Sequence, residues 1–409
     1  GGHTNTQQVD DAHGSVFIDT GFIVHNDRNY PRLTNLFELL GVAVQDSDMS
    51  FAASINRGSI EYAGDALFAQ QSNLLRPSHW KMLIEVVRFN RLAKAALLQG
   101  TCGELALGDW LDQHRFGSIF ENRYLLPMAA SIWSTPSRQM RAFSAQTFLE
   151  FFNNHGLLDL SNRPQWKTLR GGSRSYLEKM AADLAGHIHS GRGVVRVNRG
   201  GAGVQVFDDQ GQSEQFDAVV FGAHADQTLH MLEDADDAER SLLGAFEFRE
   251  NRAVLHSDES LMPRRRKAWS SWNYLTECHD EVSVISLSYW MNRLQRLETD
   301  QQYFVTLNPV HEPRPELVHY ETVYTHPVFN VSTRQAQASM GLLQGHRSCW
   351  YCGAWMGYGF HEDGLGSAIE AVKSIGVGLP PSLEEARRSG PPYMDNKLPW
   401  TGLGGHLLN

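Results

Sequence analysis

A glycine-rich segment near the C-terminal end has residue types that could hold an anionic or a flat ligand. The segment "CGAWMGYGFHEDGLGSA" contains an apolar run that predicts a buried strand from Cys349 to Ala354, and Asp363 and Gly364 are predicted to begin a helix. A helix N-terminus offers free N–H groups and partial positive charge, which suit a phosphate or an oxygen that becomes anionic during a reaction. Gly357 and Gly359 would let a flat ligand approach the backbone closely. The pattern alone does not identify the ligand.

The composition limits the classes of protein to which this chain can belong. It has 409 residues, 42% of them hydrophobic, and a net charge of −10, so we expect two domains and no general nucleic-acid binding. The one basic run, Arg264 to Lys267, fits either a solvated loop or a site for an anionic headgroup or carboxylate.

The four cysteines do not form a disulfide framework, which suits a reducing compartment, and we expect a cytoplasmic protein. Cys349 and Cys352 lie in a strand pattern in which positions three apart face opposite sides of the sheet, so we expect neither a metal nor a redox pair there.

The elements that would position these segments alternate in character. We predict a helix from about Pro31 to Leu40, helices from Ser78 to His155, and a buried strand "AVVFGA" typical of a parallel sheet. Alternating strands from Asn251 to Thr325 predict a largely antiparallel sheet, and the tail after the last helix is predicted to be irregular. The helix in "HWKMLIEVVRFNRLAKAALLQ" has one apolar face, which would pack on its own domain or lie on a membrane surface.

The glycine-rich segment resembles the C-terminal flavin-contact segment of the flavin-containing amine oxidase superfamily. The chain is most similar to a bacterial branch of predicted NAD/FAD-binding amine-oxidase-like proteins. Other segments of that branch follow in the same order: "GGHTNT", "DTGFIVHNDRNYPRLTNLFELLGV", "IWSTPSRQM", "FFNNHGLL", "RPQWKTLRGGSRSY", "FDAVVFGAHADQTL", "WSSWNYL" and "THPVFN". The resemblance covers nearly the whole chain. It is strong evidence for the family and weak evidence for the identity of the substrate.

The resemblance implies an α/β fold with a Rossmann-like FAD-binding domain of the glutathione-reductase and amine-oxidase type, interleaved with an α+β substrate domain that has an antiparallel sheet and helices. We assign residues 1–50, 165–232 and 340–380 to the discontinuous FAD-binding domain. Residues 51–164 and 233–339 are assigned to the substrate domain, and residues 381–409 to an irregular tail.

The family's dinucleotide fingerprint, G-x-G-x-x-G after a first strand, has no counterpart in this chain. Gly1 and Gly2 match a later glycine pair of the family that passes beside the FAD phosphates. We therefore expect that roughly 35 residues precede Gly1, the usual span of a strand, helix and second strand. The parallel sheet would then lack its central first strand, and the FAD pocket would be open beside the pyrophosphate.

The resemblance also implies the residues that bind FAD, which we expect to be held without a covalent bond. They are Gly1, Gly2, His3 and Thr4 beside the phosphates; Thr20, Gly21, Phe22 and Ile23 against the isoalloxazine ring; Val194, Ala223 and His224 on the adenosine side; and Gly353, Phe360, His361, Glu362, Asp363, Gly364, Leu365 and Ala368 in the C-terminal flavin segment. The N–H groups of Gly364 and Leu365 are expected to face the flavin pyrimidine ring. Trp166 and the run Arg170-Gly171-Gly172 are expected near the other flavin face, although Trp166 fits a core position equally well.

The implied function is an FAD-dependent oxidoreductase. The flavin would take a hydride from a substrate C–H bond, or the enzyme would rearrange or desaturate an apolar, lipid-like substrate. A small molecule, either an amine or an unsaturated lipid, is the expected partner, and contact with a membrane surface is a further expectation. No catalytic residue is assigned. The alternatives are a flavin- or lipid-binding protein without activity, and a chain that holds no cofactor because the fingerprint is absent.

Overall fold

The computed structural model describes residues 2–12, 14–102, 105–133, 140–159, 163–200, 203–279 and 282–389. The chain divides into two compact units. The first unit comprises Gly1–Asp27, Gly41–Glu178 and Glu250–His326, and the second comprises Arg28–Leu40, Lys179–Arg249 and Pro327–Asn409.

The strands are β1 (Thr6–Asp11), β2 (Gly14–Asp19), β3 (Val44–Asp46), β4 (Phe51–Ile55), β5 (Ile60–Ala63), β6 (Lys167–Leu169), β7 (Val194–Gly200), β8 (Gly203–Asp208), β9 (Ser213–Phe216), β10 (Val219–Phe221), β11 (Glu247–His256), β12 (Trp272–His279), β13 (Val282–Trp290), β14 (Phe304–Leu307), β15 (Val318–Val328) and β16 (Cys349–Tyr351). The α-helices are α1 (Pro31–Leu39), α2 (Pro77–Gln99), α3 (Leu107–Gln113), α4 (Ser118–Phe120), α5 (Leu126–Trp133), α6 (Ala145–Asn154), α7 (Arg174–Asp183), α8 (Ala225–Met231), α9 (Asp237–Leu243), α10 (Met291–Leu294), α11 (Val331–Ser339), α12 (His361–Ile375) and α13 (Pro381–Ser389).

The first unit contains a seven-stranded sheet in the order β15-β11-β14-β13-β12-β4-β5. Its register-defined pairs are antiparallel except for the parallel pair β12–β4. Leu255, Leu287 and Val305 are buried in one core of this unit. The predicted antiparallel sheet is therefore confirmed, and β4 and β5 are joined by a turn in which Arg57 and Gly58 have positive φ.

The helical part of the first unit packs around Phe89 of α2. Its ring lies 5.4 Å from that of Phe120 and 5.9 Å from that of Trp110, and all three side chains are fully buried. Edge-to-face and tilted ring pairs of this kind add to the free energy gained by burying their area. The predicted helices between Ser78 and His155 are confirmed for the described residues as α2 to α6.

The second unit contains the parallel pair β10–β16 and the antiparallel meander β7-β8-β9. Its core includes Phe221, Tyr351 and Trp355. The prediction that "AVVFGA" pairs in parallel is confirmed, but the prediction that the strand is buried is only partly right, because Val220 is 44% exposed. That side chain lines an open groove rather than a second layer of the sheet.

Helix α1 begins at Pro31 as predicted, and Gly41 follows its end with a φ of 60°. The prediction that the tail is irregular is wrong for residues 381–389, which form α13. Pro381 is the first residue of this helix, a position that favours proline. Residues 390–409 lie outside the described residues. In the part of the chain that the structure describes, no helix combines the length and the apolar character that crossing a membrane requires.

Candidate cofactor-binding site

Two segments predicted to contact FAD lie side by side in the first unit. The amide of Phe22 donates to the carbonyl of His3 at 2.7 Å, and the amide of Thr20 donates to the carbonyl of Asn5 at 2.9 Å. These bonds extend the β1–β2 hairpin into the loops at its open end. The structure therefore brings together the predicted phosphate-side and ring-side segments, although Gly1 lies outside the described residues.

Gly21 occupies the closest approach between these segments. A Cβ at this position would lie 2.2 Å from the carbonyl oxygen of His3, a distance that real Cβ atoms do not show. The sequence fits this geometry because only glycine leaves the space for the facing backbone.

We expect Gly21→Ala to lower the free energy of unfolding by about 1–3 kcal/mol, because the loop must shift to accommodate the methyl group. Chemical denaturation of the full chain measures this. Gly200→Ala is the control, since its Cβ would meet nothing within 4 Å. Equal stability of the two variants would contradict the close approach.

Tyr324 connects both segments to the seven-stranded sheet. Its hydroxyl accepts a hydrogen bond from the Asn5 side chain at 2.9 Å and lies 2.7 Å from Oγ1 of Thr20. Its ring centroid is 4.7 Å from that of His3, which is also 5.1 Å from the His326 ring. Burial is the main cause that raises the pKa of Tyr324, so the hydroxyl stays protonated at neutral pH. Sequence reasoning missed this residue, because the alternation in "HYETVYTHP" indicates only a strand.

Asp19 is a second residue that sequence reasoning did not single out. Its carboxylate is fully buried and accepts hydrogen bonds from Thr6 Oγ1 at 2.5 Å, from the Ser173 amide and hydroxyl at 2.9 and 2.7 Å, and from Gln295 Nε2 at 2.9 Å. Desolvation outweighs these bonds and raises the pKa of Asp19 to about 6. The carboxylate therefore joins β1, β2 and the turn before α7 immediately beside Thr20. Its only signal in the sequence was its place in "DTGFIV".

The run Arg170-Gly171-Gly172 passes beside this carboxylate. Gly172 has a φ of 88°, and a Cβ there would lie 2.5 Å from the Thr6 side chain. Trp166 is half-buried, with its ring centroid 6.3 Å from that of His155. Trp166 is therefore only partly in a core position, and a flavin contact of this run stays a prediction.

Helix α12 of the second unit begins earlier than the sequence pattern indicated. It starts at His361, and the amide of Gly364 donates to the carbonyl of Phe360 at 3.1 Å, inside the helix. The Gly364 N–H therefore has an acceptor within the helix, and flavin contact by Gly364 stays a prediction. The first turn, residues 361–363, precedes this bond and lies at the positive end of the helix dipole.

The two acidic residues of this turn are buried and support the backbone. Glu362 accepts from the Arg32 amide at 3.0 Å and the Leu33 amide at 2.9 Å, so its carboxylate caps the start of α1. Asp363 accepts from the Phe360 amide at 2.9 Å, and burial raises the pKa of this carboxyl to about 7. Flavin contact by residues 360–363, Leu365 and Ala368 stays a prediction.

The glycines before α12 make its N-terminus a tightly built loop. Gly353 has a φ of 156°, and a Cβ there would lie 2.4 Å from Nε1 of Trp355. A Cβ at Gly357 would lie 2.4 Å from the carboxylate of Asp363. The Ser367 hydroxyl accepts from the Gly353 amide at 2.9 Å and donates to the Gly364 carbonyl at 2.9 Å. Loop and helix are therefore held in one fixed arrangement.

Val194 and Ala223, both predicted from the family resemblance for the adenosine side, line the same groove of the second unit. The groove has a volume of about 880 Å³ and is mostly apolar. It is lined by Val194, Val195, Val197, Val206, Val219, Val220, Phe221, Gly222, Ala223, Asp226, Gln227, His230 and Met231. An apolar groove with few polar groups at its edge suits a flat heterocycle.

His224 stands at the start of α8, next to this groove. Its ring is stacked on Phe248 with centroids 4.3 Å apart, and burial lowers the pKa of His224. The ring therefore stays neutral at pH 7 and can take part in apolar stacking.

Cys349 and Cys352 are free thiols, and burial raises the pKa of both. Among the residues that the structure describes, no group of three or more His, Cys, Asp or Glu side chains is arranged to hold a metal ion.

Comparison with known proteins defines the class of protein. The sequence model of "Flavin containing amine oxidoreductase" matches residues 1–241. A Mycobacterium tuberculosis protein named "Putative flavin-containing monoamine oxidase AofH" is 30% identical over 118 residues, which cover 29% of this chain and 26% of that protein. The aligned part is therefore about a quarter of the curated relative.

Solved structures show the same fold across nearly the whole chain. The CLA-producing fatty acid isomerase from P. acnes has a TM-score of 0.64 at 13% identity, with 92% of this chain and 90% of that one covered. Putrescine oxidase has a TM-score of 0.62 at 13% identity, with 92% of this chain and 91% of that one covered. Cyclohexylamine oxidase from Brevibacterium oxydans has a TM-score of 0.61 at 14% identity, with 92% of each chain covered.

This chain belongs to the flavin-containing amine oxidoreductase family, as the sequence segments predicted. The predicted α/β fold of the FAD-dependent amine-oxidase type is confirmed, and FAD is the cofactor that the family indicates. The residues present fit such a group in two respects: the groove beside Val194 is apolar and open, and the helix that starts at His361 places its positive end beside closely packed glycines.

Proposed function

We propose that this protein is an FAD-dependent oxidoreductase that oxidises a small molecule by taking a hydride from a C–H bond, or that rearranges or desaturates an apolar substrate. The observation that carries the proposal is the convergence of Val194 and Ala223 on one apolar groove in a chain of the flavin-containing family. When bound, FAD would supply the hydride-accepting chemistry, and the protein would supply orientation and electrostatics.

Each part of the chain has a role in this proposal. In the second unit, the groove would take the adenosine end of the cofactor. In the first unit, the contacts of Gly2 to Thr4 with the phosphates and of Thr20–Ile23 with the isoalloxazine ring stay predictions. The start of α12 would offer the positive end of a helix dipole to a negatively charged part of the cofactor. Tyr324 would hold the loop through its hydrogen bond with Thr20, and the buried Asp19 would fix the residue that precedes the loop.

The similar proteins favour two substrate classes, and we propose both as candidates. Family membership and similarity to proteins named putrescine oxidase and cyclohexylamine oxidase favour an amine. Similarity to a protein named fatty acid isomerase favours an unsaturated lipid. We also infer a reducing compartment such as the cytoplasm, because Cys102, Cys349 and Cys352 are free thiols.

Absorption spectroscopy of the purified full chain tests the cofactor, and anaerobic bleaching tests the substrate. A flavin band that bleaches with amines alone would support amine oxidation and contradict the lipid reaction. Bleaching or isomerisation with unsaturated fatty acids alone would support the opposite assignment. Bound flavin that no member of either class reduces or uses would favour a binding protein without activity, and absence of flavin uptake would favour a chain without cofactor.

We expect Val194→Glu to weaken FAD binding by about tenfold or more, because a carboxylate in the groove would have to be desolvated beside an apolar ring. Flavin content after dialysis, measured by fluorescence of the released FAD, gives the result without any assay of activity. Val377→Glu is the matched control, since Val377 is 54% exposed, against 42% for Val194, and does not line the groove. Equal flavin retention by the two variants would place the adenosine end elsewhere.

A further inference from the structure

The solvent side of α2 carries large apolar side chains in the first half of the helix and one more at its end. Trp80, Ile84, Val87 and Leu98 are 46%, 67%, 56% and 88% exposed. With 3.6 residues per turn, these positions fall on one face of the helix. A helix that only packs on its own domain would be expected to carry polar side chains on that face.

The opposite face of α2 already supplies the core contacts. Met82 and Phe89 are fully buried there, and the polar residues His79, Glu85 and Asn90 are buried with them. The sequence pattern left open whether the apolar residues of this helix serve the core or a surface. The structure shows that one set serves the core and a second set faces outward.

The turn before α2 enlarges the exposed face into a continuous patch. Leu74 and Leu75 in the 3₁₀ turn Gln71–Leu75 are 51% and 88% exposed. The Trp80 ring contacts Phe68 with a centroid distance of 5.2 Å and donates its N–H to the Leu74 carbonyl at 3.0 Å. We call Leu74, Leu75, Trp80, Ile84 and Val87 the apolar patch. Contiguous exposed apolar surface of this kind marks an interaction site.

The charge around the patch is opposite to that of the whole protein. Residues 67–99 contain five Lys or Arg and one Asp or Glu, whereas the chain has a net charge of −10. The single acid, Glu85, is buried, and Lys81 and Arg91 are exposed on α2.

A hollow of about 370 Å³ adjoins the patch and adds to its positive charge. It is lined by Phe68, Ala69, Gln70, Gln71, Ser72, Arg265 and Lys267. The basic run singled out in the sequence therefore lies beside the segment that leads into the patch. Arg265 is held by Glu61 at 2.8 Å, which fixes one wall of the hollow, and Lys267 is exposed.

We propose that the apolar patch and its basic rim form a peripheral docking surface for an anionic phospholipid bilayer. The apolar side chains enter the boundary between headgroups and acyl chains, and Lys81, Arg91 and Lys267 approach the phosphates. Charge complementarity favours this occupant over a second copy of the chain, because the centre of a protein–protein interface is depleted of charge and two copies would bring like charges together. The proposal is independent of the proposed reaction.

Sedimentation of the full chain with vesicles tests the proposal. We expect binding to vesicles that contain phosphatidylglycerol, weaker binding to phosphatidylcholine alone, and a decrease with salt. The double variant Lys81→Glu/Arg91→Glu should weaken binding to phosphatidylglycerol vesicles by about tenfold or more, since each basic residue near such a surface contributes about 1 kcal/mol. Ile84→Ser/Val87→Ser should weaken binding to a similar degree.

Val323→Ser and Leu342→Ser are matched controls, because these side chains are 54% and 61% exposed outside the patch. Lipids brominated in the acyl chain should quench part of the tryptophan fluorescence, and Trp80→Phe should reduce that quenching. The proposal is overturned if the full chain ignores phosphatidylglycerol vesicles, or if patch and control variants bind alike. It is also overturned if light scattering shows that the patch variants only dissociate a dimer.

Discussion

Replacing Asp19 with alanine should lower the free energy of unfolding by about 3–5 kcal/mol. The carboxylate is fully buried and accepts four hydrogen bonds from the side chains of Thr6 and Gln295 and from the amide and hydroxyl of Ser173. Alanine would leave these donors buried without an acceptor, and each such donor costs about 1–3 kcal/mol. The loop from Thr20 to Ile23 would lose its anchor as well.

Urea denaturation of the wild type and of Asp19→Ala measures the effect. Asp19→Asn keeps one acceptor oxygen and the volume of the side chain, so its loss should be intermediate. Asp217→Ala is the control, because Asp217 is exposed. If Asp19→Ala were as stable as Asp217→Ala, the buried network would not hold the loop. The flavin retained by Asp19→Ala can also be compared with the fraction of the variant that stays folded. If the flavin content falls further than the folded fraction, the loop also positions the cofactor.

Replacing Asp363 with asparagine should remove a pH-dependent part of the free energy of unfolding of the second unit. We expect this part to be on the order of 4 kcal/mol, because each unit of difference between the folded and unfolded pKa corresponds to about 1.4 kcal/mol. Burial raises the pKa of this carboxyl from 3.8 to about 7, so between those values the folded chain holds a proton that the unfolded chain has released. The favourable contribution of the protonated carboxyl is complete below pH 3.8 and is lost as the pH rises toward 7.

Asparagine does not titrate, so the free energy of unfolding of Asp363→Asn relative to the wild type should rise steadily from about pH 4 to about pH 7. Subtracting the wild-type value cancels the contribution of groups that titrate equally in both proteins. Asp258 is one such group, and its pKa is lowered by hydrogen bonds with Arg314 and Ser260. Asp217→Asn makes the same chemical change at an exposed position and serves as the control. A flat difference for Asp363→Asn would mean that its carboxyl is not desolvated.

Most of the local structure could be predicted because it depends on residues close together in the chain. Pro31 and Gly41 mark the ends of α1, and alternating polarity indicated the strands of the large sheet. The start of α12 was predicted about two residues too late, since Asp363 looked like a residue at the helix boundary. In the structure it is within the first turn of the helix and caps the Phe360 amide from there.

Contacts over long sequence distances could not be predicted from single residues. Thr20 and Tyr324 are 304 positions apart, and Arg32 and Glu362 are 330 apart, yet each pair is hydrogen-bonded. Glu362 was expected in the flavin segment, but its carboxylate caps α1. Nothing in its own neighbourhood indicates that role, because the partner amides come from another part of the chain.

The family, the α/β fold and the cofactor could be inferred from the amino-acid order alone, because the segments that resemble the family are local and keep their order along the chain. The segments expected to bind FAD stay predictions. Which of those residues share a surface became visible in the folded chain. There, Val194 and Ala223 line one groove, Asp19 and Tyr324 lie behind the loop at Gly21, and Trp80, Ile84 and Val87 face outward. Sequence patterns could not predict these arrangements, because burial and hydrogen bonding depend on which residues are neighbours in space.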